Sequence, residues 1–382
     1  MISRFQLILL LVISVIFVSC KDDKDPVKPE LQVPPTYDFA RDNRSSVNYA
    51  GQIHRQNMLK EIAAYLATFT SSDIGSHYQF TADKLINMYE NTNSPFTDAS
   101  LTFVLDKRLS DKTSASPAHV AHQGTTINWF KGILEDAASA ATHSRPATPG
   151  SSGVLGTTNK YLVSEKGVEY SQLFQKALMG ACFMDQAVNN YLTDAKLINN
   201  DQVVAGENYT TMEHSWDEAY GYFSKVNDFK LEGTQDRGFW GGYFVGLETS
   251  HQLASKTYTA FRRGRAAIVA KDYSERDKQR AIIRQNFEEA CLIKALHYLG
   301  ESKKKISANN IPSAFHELSE GLGFIYSLQY APSGKVTAAK AEQWLNTLTT
   351  GQGFWSSDIN TKITTVKTEL ANLYSKDPLA DY

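Results

Sequence analysis

From Gly51 onward, apolar residues recur every three or four positions, the period of a helix with one buried face. Met58, Leu59, Ile62, Leu66 and Phe69 mark a first stripe. Ser71–Asp73 reads as a cap for a short element, and Thr81 as the cap of a helix carrying Leu85, Ile86 and Tyr89. A longer helix is predicted from near Pro117 to Ala141, with Ile127, Phe130, Ile133 and Leu134 on one side. Ala147–Gly156 is rich in Pro, Gly, Ser and Thr and reads as a loop. Further helices are predicted over about 167–192, 208–224, 245–271, 275–302, 311–329, 338–348 and 359–373. The Gly/aromatic segment Gly238–Phe244 reads as irregular or as a helix entry. Strict alternation is scarce, and Gly and Pro fall mostly between the helical stretches. The expected fold is all-α, built as helical bundles.

The N-terminus carries a different pattern. Arg4 precedes the 14-residue apolar run Phe5–Val18. At about 1.5 Å per residue this spans roughly 21 Å, short of the ~30 Å hydrocarbon core. It reads as a signal-peptide core rather than a membrane span. Val18, Ser19 and Cys20 resemble the bacterial lipobox, in which the chain is cut before Cys and the thiol is acylated. Residues 1–19 are then the signal peptide, and Cys20–Tyr382 the mature chain of 382 − 19 = 363 residues. Lys21, Asp22 and Asp23 resemble the surface-export signal of Bacteroidota lipoproteins; the alternative is a plain solvated tether with the lipid in the inner leaflet of the outer membrane, facing the periplasm. Residues 20–36, with Pro26, Pro29, Pro34 and Pro35, cannot bury a core and read as a flexible tether. Residues 37–382 are left as one helical domain.

Composition narrows the classes. Of 382 residues, 42 % are hydrophobic and 21 % charged, which argues against global disorder and against a polytopic membrane protein. Lys+Arg is 39 and Asp+Glu 41, so there is no basic footprint for nucleic acid. Three cysteines exclude a disulfide framework and a cysteine-based zinc site.

One pattern occurs twice. His214, Glu218, Gly221 and Tyr222 match His316, Glu320, Gly323 and Phe324 in the form His-x-x-x-Glu-x-x-Gly-aromatic. The offset is 102 at each of the first three positions (316 − 214, 320 − 218, 323 − 221). Upstream, Cys182 and Cys291 lie in similar apolar runs, 109 apart (291 − 182). Two helix pairs in the same order suggest an internal repeat, over about 115–226 and 245–330. On a helix, positions i, i+4 and i+7 share a face. The glycine admits a neighbouring backbone; the His and Glu either fix helix register as a buried pair or hold a metal or polar ligand. One His and one Glu are too few ligands for a metal by themselves. The zincin pattern His-Glu-x-x-His is absent, because Glu320 stands where the second His would be. Asp217 and Glu317 lie beside the stripe but face other directions.

Other groups are weaker candidates. His119 and His122 read as a solvated surface pair, Cys182 and Cys291 as small core residues, and Arg262, Arg263 and Arg265 as a solvated helix face. No phosphate loop and no Gly-x-Ser-x-Gly elbow is present.

Several segments resemble the Bacteroidota lipoprotein family that carries the domain of unknown function DUF4856. They are Pro35–Phe39 with Arg41, then Ser46, Val47, Tyr49, Gly51 and Gln52, then Met212–His214 with Trp216–Ala219, Gly221 and Tyr222, and finally His316–Phe324. That family is similar to imelysin-like proteins, which implies a duplicated helical fold, export, and a link to iron or haem acquisition. The imelysin pattern is Gly-x-His-x-x-Glu; here Glu follows each His by four, and no Gly stands two before it. The resemblance and the residues together lead to a non-enzymatic, lipid-anchored binding protein of the outer membrane, working with outer-membrane uptake components. His214, Glu218, His316, Glu320 and the neighbouring Asp217 are the candidate binding residues, with iron, haem or another divalent metal as the cofactor class. The alternatives are a surface hydrolase of metallopeptidase type using Glu218 or Glu320 as base, and a structural lipoprotein that docks a partner on exposed rings of Phe239–Phe244.

Overall fold

Several helices start for a local reason. Thr81 is extended, and its Oγ accepts the Lys84 amide, so α2 (Ala82–Glu90) begins there. Thr210 and Glu213 form a reciprocal capping box at the start of α5 (Thr211–Phe223). Asp272 accepts the Glu275 amide and opens the 35-residue α9 (Tyr273–Ser307). The structure is a computed structural model that describes residues 30–68, 81–101, 104–142 and 145–382. The signal run, Cys20, most of the tether, Phe69 and the Ser71–Asp73 cap lie outside the described residues.

The remaining helices are α1 (Ala50–Thr68), α3 (Gln123–Ala141), α4 (Tyr170–Leu178), α6 (Gly238–Gly246), α7 (Glu248–His251), α8 (Leu253–Val269), α10 (Ile311–Ser327), α11 (Ala338–Thr349) and α12 (Ile359–Leu373). The strands of the described residues form two antiparallel hairpins: β1 (Ala40–Arg41) with β2 (Arg44–Ser45), and β3 (Gly153–Leu155) with β4 (Tyr161–Val163). The fold is all-α. Among the described residues no helix is long and apolar enough to cross a membrane.

Four helices frame the region of interest. α5 packs on α1, α1 on α4, and α4 on α10, while α8 and α9 back α5 and α10. One continuous apolar core runs through them. Trp216 and Trp240 are fully buried and donate their indole N–H to the carbonyls of Phe261 (3.0 Å) and Met179 (3.1 Å).

Two departures from the expected helices have visible causes. The stretch predicted as one helix over 167–192 is α4 followed by two π-helical segments, Met179–Met184 and Ala187–Tyr191. Ser327 of α10 donates its hydroxyl to the Lys176 carbonyl at 2.7 Å, occupying the acceptor that the Gly180 amide would use in an α-helix. Gly180 makes room, since a Cβ there would lie 2.2 Å from the Ser327 oxygen. The helix predicted over 245–271 is broken at Gln252, which is left-handed (φ 56°). Glu248 bridges the break by accepting the Ser255 amide at 2.9 Å, so α8 starts afresh. The segment Gly238–Phe244 is not irregular: it forms most of α6, with Trp240 and Phe244 in the core.

Candidate functional site

On α5, the glycine of the repeated pattern does what its spacing suggested. A Cβ on Gly221 would lie 2.7 Å from Tyr49 Cβ and 2.8 Å from Gln52 Cβ, so α1 approaches to backbone distance. That approach brings Gln52 to Glu218, whose Oε1 accepts the amide at 3.1 Å. His214 Nε2 stands 3.8 Å from Glu218 Oε2, and its Nδ1 meets the Asn48 carbonyl at 3.1 Å. The Tyr209 ring stacks on the imidazole at 4.4 Å. Lys112 lies over the Tyr191 ring next to this group, and burial pushes its ammonium below the ordinary lysine value.

α10 repeats the scheme with different chemistry. A Cβ on Gly323 would lie 2.4 Å from Lys176 Cβ, so α4 takes the place that α1 has on the other side. Lys176 forms an ion pair with Glu320 at 3.1 Å, and Tyr243 donates to the same carboxylate at 3.3 Å. Lys294 lies over the Tyr243 ring, and its ammonium too is pushed down by burial. His316 turns away from Glu320 toward Glu169: Nδ1 to Oε2 is 2.6 Å. Tyr161 stacks on this imidazole at 4.6 Å. Burial works against the His316 proton, but Glu169, Glu320 and Glu317 more than offset it and raise the imidazole above its ordinary value. Burial instead raises Glu169, against the pull of His316 and Lys176. The matched aromatics also play one role, Tyr222 stacking on Phe183 and Phe324 on Tyr298.

Of the four candidate residues only His214 and Glu218 therefore approach each other; His316 and Glu320 on α10 take separate partners. Among the described residues no three His, Cys, Asp or Glu side chains gather into a group able to hold a metal ion. The residues present do not fit a bare divalent ion.

Asp217 belongs to neither pair. It is fully buried and pairs with Arg265 at 2.9 Å, while Tyr37 donates to it at 2.8 Å and the Asn48 amide at 3.3 Å. Arg265 also pairs with Glu213 at 2.8 Å and donates to the Ser46 carbonyl at 3.1 Å. Arg41 reaches the same Glu213 oxygen at 2.9 Å. Two guanidinium and two carboxylate groups thus balance, with Arg265, Asp217 and Glu213 buried and Arg41 half-buried at the edge. Burial pushes Asp217 up to about 6 despite Arg265, whereas the two arginines hold Glu213 below its ordinary value against burial. The solvated Arg face expected from sequence is corrected here. Arg265 is fully buried because it points inward beneath the strap 37–49, Arg262 donates to the Pro34 and Pro35 carbonyls, and Arg263 pairs with Glu275.

The strap explains the shared motifs. Tyr37 stacks on Tyr220 at 3.6 Å, Phe39 lies under Arg265, and Arg41, Ser46, Asn48 and Gln52 all bond to α5 or Arg265. Over residues 34–376 the sequence matches a family described as a domain of unknown function, DUF4856. The chain belongs to the DUF4856 family. No curated protein and no solved structure matches it. In this DUF4856 chain two motifs far apart in sequence, Pro35–Gln52 and Met212–Tyr222, are thus the two sides of one interface.

Other sequence candidates resolve as follows. Cys182 and Cys291 are fully buried; burial pushes the Cys182 thiol up to about 12 and Cys291 well above its ordinary value, so neither is a nucleophile. His122 is exposed, but His119 is not a solvated surface residue. Its Nδ1 meets the buried Asp185 carboxylate at 2.6 Å, and Ser116 donates to that same oxygen at 2.7 Å. Ser and Asp sit on the same ring nitrogen, so this is not a nucleophilic triad, which needs them on opposite ones. The rings of Phe239–Phe244 are buried or half-buried, which removes the exposed docking patch. Sequence reading missed Gln52, Lys176, Tyr161 and Glu169, the partners of the paired residues. The nearest signal was Gln52, which stands in the first motif.

Proposed function

We propose that the chain is a lipid-anchored, non-enzymatic binding protein of the cell envelope, tethered through Cys20 to the outer membrane and displayed at its surface. The observation that carries this reading is that both glutamates of the repeated pattern are engaged by fixed partners, while both imidazoles sit half-exposed at the rim under a stacked tyrosine. A carboxylate held by an ammonium or an amide is a poor general base, whereas an oriented, half-exposed imidazole is a good contact for a ligand. Iron or haem acquisition is the setting that the resemblance to imelysin-like proteins suggests. Of the two, haem suits these residues better, because one imidazole suffices as an axial ligand.

The test has two arms. The full chain expressed in its envelope incorporates labelled palmitate, and Cys20→Ser abolishes the label. Equilibrium dialysis of the purified chain with haem and with ferric iron shows retention at micromolar concentration that His214→Ala or His316→Ala weakens. Absence of label removes the anchor; absence of haem and iron binding removes the acquisition role.

A hydrolase is the second reading, and one feature favours it: His316 with its Nδ1 on Glu169 has the form of a general base with its orienting carboxylate. Turnover of a peptide or ester panel lost in His316→Ala would support it over the binding role.

A further inference from the structure

The β3–β4 hairpin, the start of α4 and the second half of α1 enclose a cavity of about 230 Å³. This is below the ~300–1,000 Å³ typical of sites for drug-sized ligands, so the occupant is small. Ala63, Leu66, Ala67 and Leu162 give it an apolar wall; the rest of the lining carries polar groups. His316 is the central group. Its Nδ1 is committed to Glu169 at 2.6 Å and its ring is held by Tyr161, while Nε2 has no partner among the described residues and is the ring nitrogen left to meet a ligand. The Glu169 carboxylate favours the protonated ring, and in that form Nε2 is a donor. Lys160 adds a second cation to the lining and forms no ion pair among the described residues. The nearby carboxylates are already used: Glu317 by Lys305 and Glu320 by Lys176. The first turn of α4 faces the same space through Ser171 and Gln172 and has no side-chain cap. Its leftover amides and helix dipole favour negative charge. Independently, Gln172 lines the cavity and its Oε1 is buried with no hydrogen-bond partner among the described residues, so it can take a donor from a ligand.

We infer that this cavity binds a small organic carboxylate that also carries a hydroxyl or ammonium donor, the carboxylate facing His316 and Lys160 and the donor facing Gln172. The inference shares His316 with the binding role above and rests on it only to that extent. Haem and iron are absent from its test, so the two fail separately.

The purified full chain is titrated calorimetrically with gluconate, glutamate, butyrate and inorganic phosphate, each to about 10 mM. Gluconate or glutamate is expected to bind, with butyrate, which lacks the donor, at least about tenfold weaker. His316→Gln and Lys160→Gln each weaken binding by about tenfold or more, and Gln172→Leu removes the preference over butyrate. Lys160 is only half-buried, so its variant keeps the test open should His316→Gln fail to fold. Binding of phosphate alone, equal binding of butyrate, no binding by any probe, or binding indifferent to Lys160→Gln overturns the inference.

Discussion

Replacing Gly323 by Ala would place a methyl carbon 2.4 Å from Lys176 Cβ and 3.0 Å from the Ala177 amide nitrogen. Neither atom is the tip of a flexible side chain. To restore an ordinary contact of 3.4 Å, α10 and α4 would have to part by 1.0 Å (3.4 − 2.4). Overpacking of this kind costs about 1–3 kcal/mol, and rigid neighbours put it at the upper end. Better helix propensity returns up to ~1 kcal/mol, for a net loss of about 2 kcal/mol. Gly321, on the same helix, is the control: a Cβ there meets nothing nearer than Tyr298 Cβ at 3.4 Å. Gly321→Ala is therefore neutral or stabilising by up to ~1 kcal/mol. Urea unfolding followed by circular dichroism reads both, with the midpoint moving and the slope constant. Equal midpoints for the two variants, or a Gly323→Ala protein as stable as the parent, would refute the claim that this glycine sets the distance between the helices.

Two further predictions follow from the charged groups. Asp217→Ala leaves Arg265 buried with one of its two carboxylates and should cost about 3–5 kcal/mol, against at most ~1 kcal/mol for Lys60→Ala, whose partner Asp236 is half-exposed; similar urea midpoints for the two would contradict the buried cluster. His316 has its folded value raised above 6.5, so its stabilisation is fully present below that pH and drains away as pH rises through the raised value. Glu169, Glu317 and Glu320 are the carboxylates facing it, and burial opposes them. Urea midpoints measured between about pH 6.5 and 9 should fall for the parent and stay flatter in His316→Gln. Parallel curves would show that the Glu169 pair adds nothing.

The legible part of the fold was the part with a local cause. α12 lies at Ile359–Leu373, as its apolar spacing required, and α11 and α10 end within about two residues of their predicted bounds. Thr81 caps because its own hydroxyl reaches three residues on. The break at Gln252 and the π segments of α4 escaped notice because a distant or competing group causes each. Arg265 was misread for the same reason: on a sequence it is one of three clustered cations, and only the strap reveals that it faces inward. His119 was misread because Asp185, its partner, stands 66 residues away.

Helical periodicity, caps, and the recurrence of His, Glu, Gly and an aromatic at one spacing are properties of the chain read in one dimension. They determined that the protein is all-α and that α5 and α10 each expose a glycine face to a neighbour. Tertiary structure decided what stands opposite each side chain. Gln52 lies 166 residues from Glu218, and Glu169 lies 147 from His316. Electrostatic partners act over a few ångströms of space, whatever the length of chain between them. The same two-letter signal therefore became a Gln-held carboxylate on one side of the molecule and a Glu-held imidazole above a polar cavity on the other.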